Sequence, residues 1–279
     1  MRAIALIVLA ALAVPSPAAA KWPKPAAGES ASGAPEVMFS FDDGPDHRFT
    51  PRILKILRDR NIQAIFFWVG HRIDQRKRNA ARRRAVATRA VLEGHLIGSH
   101  TVNHVHLCRL SSVAGGEEID NAITELEKLT ALPMTLFRAP YGDHCDRVKA
   151  LLDERNLAHI HWDIDPHEWQ DHNSERVAAD IIHKIRNLDG RAMILMHDTK
   201  LVTVRALERV LNWIDAENKK RERRGLKKIR IVDASDWVAE SLDPDVARFT
   251  KAMLSQTVLQ LRNARSALIP GYPAKMVSR

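Results

Sequence analysis

The sequence is short of aromatic residues and cysteines, and it has no long apolar run beyond its first 20 residues. Aromatic residues make up 5% of the 279 residues, and none forms a base-stacking strand of the kind found in RNA-binding domains. Two cysteines are too few for a disulfide scaffold. With 45% hydrophobic and 28% charged residues, the chain is neither a disordered tail protein nor a collagen. Its length suits one large globular domain or two small ones.

The N-terminal segment has the order of a secretion signal followed by a linker. Arg2 supplies a positive charge, residues 3–14 are apolar, and small residues follow up to Ala20. This order predicts a signal peptide over residues 1–20, because the apolar run is shorter than the ~20 residues that span a bilayer. An uncleaved interfacial anchor is the alternative. We expect a soluble mature protein, exported to the periplasm, the cell envelope or the extracellular space, with a Pro/Ala-rich linker over residues 21–35.

Positive charge is concentrated in two segments rather than spread along the chain. The formal net charge is +9, and residues 72–89 and 219–230 each hold eight basic residues against one acidic residue. Such patches suit an anionic polymer such as cell wall, nucleic acid or a membrane surface. Two solvated helix faces are the alternative. Export argues against nucleic acid as the partner.

Apolar runs alternate with segments of helical periodicity through the middle of the chain. Strands are predicted at 36–41, 64–69, 96–98, 134–137, 158–162, 192–196 and 229–232, and helices between or after them. This alternation predicts an α/β fold with a parallel sheet, either open or closed into a barrel. We assign residues 36–240 to this domain and residues 241–279 to a helical tail.

Polar side chains follow five of the predicted strands at the point where each strand ends. They are Asp42-Asp43, His100 with His104, Arg138 to Tyr141, Asp163 with Asp165 and Trp169, and His197-Asp198. Parallel α/β folds place active sites at the carboxyl ends of strands, so we expect these groups to converge. The alternatives are a plain turn at Asp42-Asp43, core packing for Trp169 and a helix cap at His197-Asp198.

The spacing of His100 and His104 predicts a shared metal. On a helical turn, residues four apart place both imidazoles on one face. Thr101 stands where a zinc peptidase has glutamate, so that class is excluded. One carboxylate of Asp42-Asp43 would complete a His₂Asp set with an open coordination position, and the other carboxylate could take a proton from the water that the metal activates.

Five motifs together resemble the polysaccharide deacetylases of the NodB-homology type, carbohydrate esterase family 4. The resemblance spans about residues 36–240 and rests on Ser-Phe-Asp-Asp-Gly-Pro at 40–45, His-Thr-Val-Asn-His at 100–104, Arg-Ala-Pro-Tyr at 138–141, Asp-Pro-His-Glu-Trp at 165–169 and Leu-Met-His at 195–197. It implies a distorted (β/α) barrel and metal-dependent removal of acetyl groups from a glycan.

The resemblance also implies a role for each matching residue. Asp43, His100 and His104 would hold the metal, expected to be Zn²⁺. Asp42 would be the general base, and Arg138 would hold it in place and keep it ionised. The backbone N–H of Tyr141 would stabilise the oxyanion. His197 would protonate the departing amine, with its pKa raised by Asp165, while Trp169 and Leu195 would line the pocket for the acetyl methyl group.

The sequence departs from the family pattern in the fourth motif and carries two cysteines close to its other motifs. Glu168 replaces the usual aspartate, and Pro166 stiffens the same loop. Cys108 and Cys145 each follow a motif that we expect at the site, and export would permit a disulfide between them. Two unpaired thiols are the alternative.

The leading hypothesis is a secreted, metal-dependent deacetylase of N-acetylglucosamine units, with peptidoglycan as the favoured substrate. A chitin or poly-N-acetylglucosamine deacetylase and a xylan O-acetyl esterase are rivals, because metal, base and acid serve amides and esters alike. An inactive glycan-binding module is a remote alternative, since every expected catalytic position is filled. We expect a polysaccharide partner, no nucleic acid, and no membrane after signal cleavage.

Overall fold

A computed structural model describes residues 33–241 of the chain. The predicted signal peptide, most of the predicted linker and all but the first residue of the predicted tail lie outside the described residues. The strands are β1 (Glu36–Asp42), β2 (Ile65–Trp68), β3 (Leu96–Ser99), β4 (Leu136–Phe137), β5 (Ala158–His159), β6 (Arg191–His197) and β7 (Arg230–Ile231). The helices are α1 (Thr50–Arg58), α2 (Ala80–Leu92), α3 (Ser112–Thr130), α4 (Asp146–Asp153), α5 (Ser174–Arg186), α6 (Leu201–Arg223) and α7 (Ala234–Ser241).

The seven strands form one parallel sheet with helices between them. The strand order is β5-β4-β3-β2-β1-β6, and β7 pairs with the start of β1. Every pairing between named strands is parallel. The predicted α/β class with a parallel sheet is therefore confirmed. Among residues 33–241, no helix is both long and apolar enough to cross a bilayer.

Strand β1 is buried on both faces, and its apolar residues Val37 to Phe39 and Phe41 suit that position. Val37, Phe39 and Phe41 belong to the larger core cluster, which they share with apolar residues of the surrounding helices. Met38 belongs to a second cluster on the opposite, inner face of the sheet. Because side chains alternate between faces, Asp42 ends the strand on the same inner face as Met38.

The parallel register brings the ends of neighbouring strands together at one edge. Asp42 pairs with His197 on β6 and with Phe67 on β2. Ser99, the residue before His100, pairs with Phe137, the residue before Arg138. All of these pairs lie at carboxyl ends, which is the edge where a parallel α/β sheet carries its functional groups.

Candidate active site

A buried ion pair joins the ends of β1 and β4. Nη1 of Arg138 donates to Oδ1 of Asp42 at 2.7 Å and to the hydroxyl of Ser40 at 2.9 Å. The guanidinium is fully buried, lies 4.2 Å from the ring centroid of Phe67, and donates through Nε to the carbonyl of Ile160. Burial lowers the pKa of Arg138, and the charge of Asp42 opposes that shift. Arginine stays charged under both influences, so Asp42 faces a fixed cation.

Asp43, His100 and His104 form a cluster that could hold a metal ion. One potential ligand atom from each lies within 4.8 Å of the others. Oδ1 of Asp43 is 3.1 Å from Nε2 of His104 and 3.7 Å from Nε2 of His100. Nδ1 of His100 bonds the carbonyl of Arg138 at 2.7 Å, which leaves its Nε2 directed at the carboxylates.

The loops that present this cluster are not helical. Asp43, Thr101 and His104 all have left-handed backbone angles, with φ of 71°, 62° and 56°. The expectation that His100 and His104 share a helical turn is therefore wrong. The two imidazoles converge through a turn in which the backbone N–H of His104 donates to the hydroxyl of Thr101 at 3.0 Å. Left-handed non-glycine residues are costly, and they concentrate at functional sites.

The donor set fits a divalent cation. Oδ1 of Asp43 is buried and accepts no well-aligned hydrogen bond. Burial alone would raise the pKa of Asp43, but the adjacent His104 and the charges on His197 and His100 hold that pKa below its usual range. An ionised carboxylate oxygen and two imidazole nitrogens are ligands of the kind that catalytic zinc sites use.

His197 pairs with Glu168 and not with Asp165. Nδ1 of His197 lies 3.0 Å from Oε1 of Glu168, which is fully buried and also accepts from the hydroxyl of Thr203 at 3.2 Å. Burial opposes the protonated imidazole, but the hydrogen bond and charge of Glu168 outweigh it, and Asp43 adds to them. Together they raise the pKa of His197 to about 9.

The predicted pairing of Asp165 with His197 is wrong because Asp165 bonds within its own loop. Its Oδ1 accepts the backbone N–H of His167 at 2.8 Å, a local turn that aspartate commonly makes two residues ahead. Glu168 stands three residues later, and its longer side chain reaches the imidazole. The sequence held this signal, because Glu168 occupies the acidic position directly before Trp169.

The remaining predicted site residues lie around this centre. Tyr141 has a left-handed φ of 61°, and its ring stacks on His106 at 3.7 Å and meets the ring of His104 edge-on at 4.7 Å. Trp169 is 46% exposed, so the core-packing alternative fails for it, whereas Leu195 is buried on β6. The acetyl-methyl pocket assigned to Trp169 and Leu195 stays a prediction.

Sequence reasoning missed the position of Asp198 under the first loop. Its carboxylate is fully buried and accepts from the hydroxyl of Thr50 at 2.6 Å and from Nε1 of Trp68 at 3.2 Å. A Cβ on Gly44 would lie 2.1 Å from this carboxylate, so only glycine fits there. Burial raises the pKa of Asp198 to about 7. Helix α6 begins only at Leu201, so Asp198 does not cap it.

A disulfide joins two of the site's loops. Cys108 and Cys145 are bridged, with Cα atoms 5.9 Å apart. Cys108 lies in the turn that follows His104, and Cys145 precedes α4 shortly after Tyr141. Oδ2 of Asp143 accepts the backbone N–H of Cys108 at 3.0 Å, which adds a second link between the same loops.

Comparison with known proteins identifies the family. A family model described as polysaccharide deacetylase matches residues 29–159. A chitooligosaccharide deacetylase of Bradyrhizobium is 31% identical over 170 residues, which cover 60% of this chain and 72% of the relative. A peptidoglycan-N-acetylglucosamine deacetylase of Bacillus cereus is 30% identical over 184 residues, 63% of this chain and 79% of the relative. The chain belongs to the polysaccharide deacetylase family.

The fold of this deacetylase agrees with that membership. The structure of the peptidoglycan deacetylase PdaC from Bacillus subtilis superimposes with a TM-score of 0.59 at 24% identity, over 82% of this chain and 96% of that one. The likeness bears on the fold alone, and it confirms the expected (β/α) barrel of the NodB-homology type. Membership makes the chain a hydrolase that acts on N-acetyl amide bonds.

Proposed function

We propose that this deacetylase is exported to the periplasm, the cell envelope or the extracellular space. There it removes acetyl groups from N-acetylglucosamine units of peptidoglycan, with a divalent metal. The observation that carries the proposal is the convergence of three groups at one edge of the sheet. They are the Asp42–Arg138 pair, the cluster of Asp43 with two histidines, and His197 with Glu168. An amide hydrolase needs a base, an electrophile and an acid, and the three groups supply them in that order.

Asp42 is the general base in this proposal. Arg138 holds one carboxylate oxygen at 2.7 Å, and the other, Oδ2, lies 3.7 Å from Nε2 of His100 at the metal cluster. The free oxygen therefore faces the place where a water would attack. The fixed guanidinium also sets the orientation of the carboxylate, so that Oδ2 can accept the proton of that water.

Asp43, His100 and His104 would hold the metal, and their mixed nitrogen and oxygen donors favour Zn²⁺. When bound, the metal supplies Lewis acidity that polarises the amide carbonyl and lowers the pKa of water. The hydrogen bond from His100 to the carbonyl of Arg138 fixes its ring orientation before any metal enters.

His197 is the general acid that protonates the departing amine. Its pKa of about 9 keeps the imidazole protonated near neutrality, and Glu168 fixes which nitrogen faces the substrate. Because Nδ1 is engaged with Glu168, Nε2 is the nitrogen left to deliver the proton. The backbone N–H of Tyr141 is the proposed oxyanion donor, and Trp169 with Leu195 the proposed methyl pocket.

The choice of peptidoglycan is supported by the predicted N-terminal export signal and by the Bacillus cereus relative. A chitooligosaccharide is the second candidate, because the Bradyrhizobium relative carries that activity in its name. Both polymers present the same N-acetylglucosamine amide, so the catalytic groups described above serve either one.

The test measures acetate release from purified peptidoglycan by the mature protein. We expect release that a chelator abolishes and that added Zn²⁺ restores. Parallel reactions on chitin oligomers and acetylated xylan rank the alternatives by initial rate. Acetate release from chitin oligomers with none from peptidoglycan would reject peptidoglycan as the substrate. Release that continues after complete metal removal would reject the metal dependence.

A further inference from the structure

The first arginine-rich segment begins beside the catalytic loops. The backbone N–H of Gly70 donates to the carbonyl of Thr101 at 2.9 Å, and that of His71 donates to Val102 at 3.0 Å. Arg72 is the next residue along this turn, and it therefore sits against the loop that carries His100 and His104. Helix α2 starts at Ala80 and runs back along the sheet, so its first turns stay at the same edge.

A second loop brings another arginine within electrostatic range of Arg83. Arg48 follows the Asp42-Asp43 turn closely, and its Nε lies 3.9 Å from Oδ1 of Asp46. Arg83, in the first turns of α2, donates through Nη1 to the carbonyl of Arg72 at 3.4 Å. We call Arg48, Arg72 and Arg83 the rim cluster.

Three arginines in the rim cluster face two carboxylates. Asp46 is one, and its Oδ1 already accepts the backbone N–H groups of Arg48 and Phe49. The other is the buried Asp198, which lies within electrostatic range of Arg72 and is engaged by Thr50 and Trp68. The Nε atoms of Arg72 and Arg83 are buried and have no hydrogen-bond partner among residues 33–241. Burial and the charges of Arg72 and Arg48 lower the pKa of Arg83, whereas Asp46 raises it. Gathering like charges in this way costs free energy unless an anion joins them.

Two other arginines of the same segment are paired with carboxylates of the protein itself. Arg76 forms a bidentate pair with Asp74, with distances of 3.0 and 2.9 Å. Arg89 pairs with Glu93 at 2.8 Å. Arg76 and Arg89 are thus paired with carboxylates, whereas Arg72 and Arg83 each keep a buried Nε without a partner.

We propose that the rim cluster is a subsite for an oxyanion group, a carboxylate or a phosphate, carried by the glycan in the active site. The proposal rests on the proposed function and narrows its substrate to an acidic glycan. Planar guanidinium groups bind both oxyanions through paired N–H donors, which a neutral chitin chain cannot engage. An acidic strand would place its charge at the rim while its acetylated sugar occupies the centre.

The test measures binding, so that it does not depend on turnover. The metal-loaded full chain is mixed with insoluble peptidoglycan at increasing protein concentrations, and the glycan is sedimented. The protein left in the supernatant gives the dissociation constant. The rim variant is Arg72→Gln with Arg83→Gln. The matched control is Arg223→Gln with Arg224→Gln, because both residues are exposed and lie at the opposite end of α6. Thermal unfolding checks that each variant is folded.

We expect the rim variant to bind roughly tenfold more weakly or worse, since each lost hydrogen bond to a charged group is worth about a tenfold change. The control should bind as the wild type does. Peptidoglycan with amidated carboxylates, and peptidoglycan stripped of phosphate polymers, separate the two sources. Loss of the rim effect with one of them identifies the oxyanion.

Two results would overturn the subsite. One is equal weakening in the rim variant and the control, and the other is an undiminished rim effect on both neutralised glycans. Acetate release is recorded on the same samples. Acetate release without rim-dependent binding supports the proposed function and rejects the subsite. Rim-dependent binding with no release from any glycan supports the subsite and rejects the proposed function.

Discussion

Asp42 and His197 are register partners on neighbouring strands. Their side chains, however, bind counter-charges of opposite sign. On the base side, the buried guanidinium of Arg138 holds a carboxylate. On the acid side, the buried carboxylate of Glu168 holds an imidazole and raises its pKa to about 9. In the proposed mechanism, one edge of the sheet therefore holds a base and an acid, each beside its own buried counter-charge.

The residues of the two pairs are also positioned by different parts of the backbone. Asp42 and Arg138 both stand at or directly after strand ends, where the register fixes them. Glu168 lies in the loop after β5, and a single side chain spans the gap to His197. We therefore expect the base side to be more sensitive to removal of one residue, and the acid side to respond mainly through pH.

The largest effect should come from removing a metal ligand, which disables the electrophile shared by both sides. His104→Ala should lower metal affinity by more than the roughly 10–100-fold seen when a hydrogen-bond partner of a ligand is removed, and turnover should fall with it. Metal content after dialysis and acetate release measure the two losses. Full occupancy together with wild-type turnover would contradict the ligand assignment.

Asp42→Asn should lower kcat by about 10²–10⁴-fold, the usual contribution of a general base, because asparagine cannot take the proton. The metal should stay bound, since Asp43 and the two histidines are unchanged. Metal stoichiometry is the control that separates this variant from His104→Ala. A kcat equal to that of the wild type would reject Asp42 as the base.

Glu168→Gln should shift the pH profile more than it lowers the maximum. The wild-type His197 stays protonated up to its pKa of about 9 and loses its proton as pH rises through that value. Without the charge of Glu168 the pKa falls toward the ordinary value near 6.5, so activity at pH 8 should drop by roughly tenfold or more. The pH dependence of kcat/KM measures the shift.

Asp165→Asn is the matched control for the acid side. Asparagine keeps an oxygen that can accept the N–H of His167, so the loop should be preserved and the alkaline limb unchanged. If Asp165→Asn shifts the alkaline limb as much as Glu168→Gln does, Asp165 acts on His197, as the sequence analysis predicts.

The smallest effect on turnover should follow loss of the disulfide, which touches neither counter-charge. Replacing Cys108 and Cys145 by serine frees a loop with a sequence separation of 37, so the free energy of unfolding should fall by about 3–4 kcal/mol. Urea unfolding measures it, with the pH profile unchanged. Two free thiols in denatured, non-reduced wild-type protein would show that the bridge is not formed.

Much of the fold and the general place of the site could be predicted from the sequence. Apolar runs of three to six residues separated by helical periodicity predict the parallel sheet, and the polar residues that end those runs predict the edge where they meet. These features depend on local patterns and on the general topology of parallel sheets. Contacts between loops follow neither from local patterns nor from sheet topology, so these patterns did not predict them.

The wrong expectations all concern loops. The spacing of His100 and His104 suits a helix, but the backbone brings the rings together through left-handed residues instead. Asp165 and Glu168 stand three residues apart, and only the local turn at Asp165 decides which of them reaches His197. The burial of Asp198 depends on Gly44, 154 positions earlier, which no local pattern reports.

The pairing of β1 with β6 also bears on when the protein becomes active. Ser40 bonds the carbonyl of Ile194 across 154 positions of sequence, and the same ladder ends with Asp42 beside His197. Contacts between residues so distant in sequence form late and slowly, because a long loop must close first. If the proposed export is correct and the chain crosses the membrane unfolded, it would carry the proposed base and acid as separate, inert segments. Chemistry would begin only once the last long strand docks beside the first.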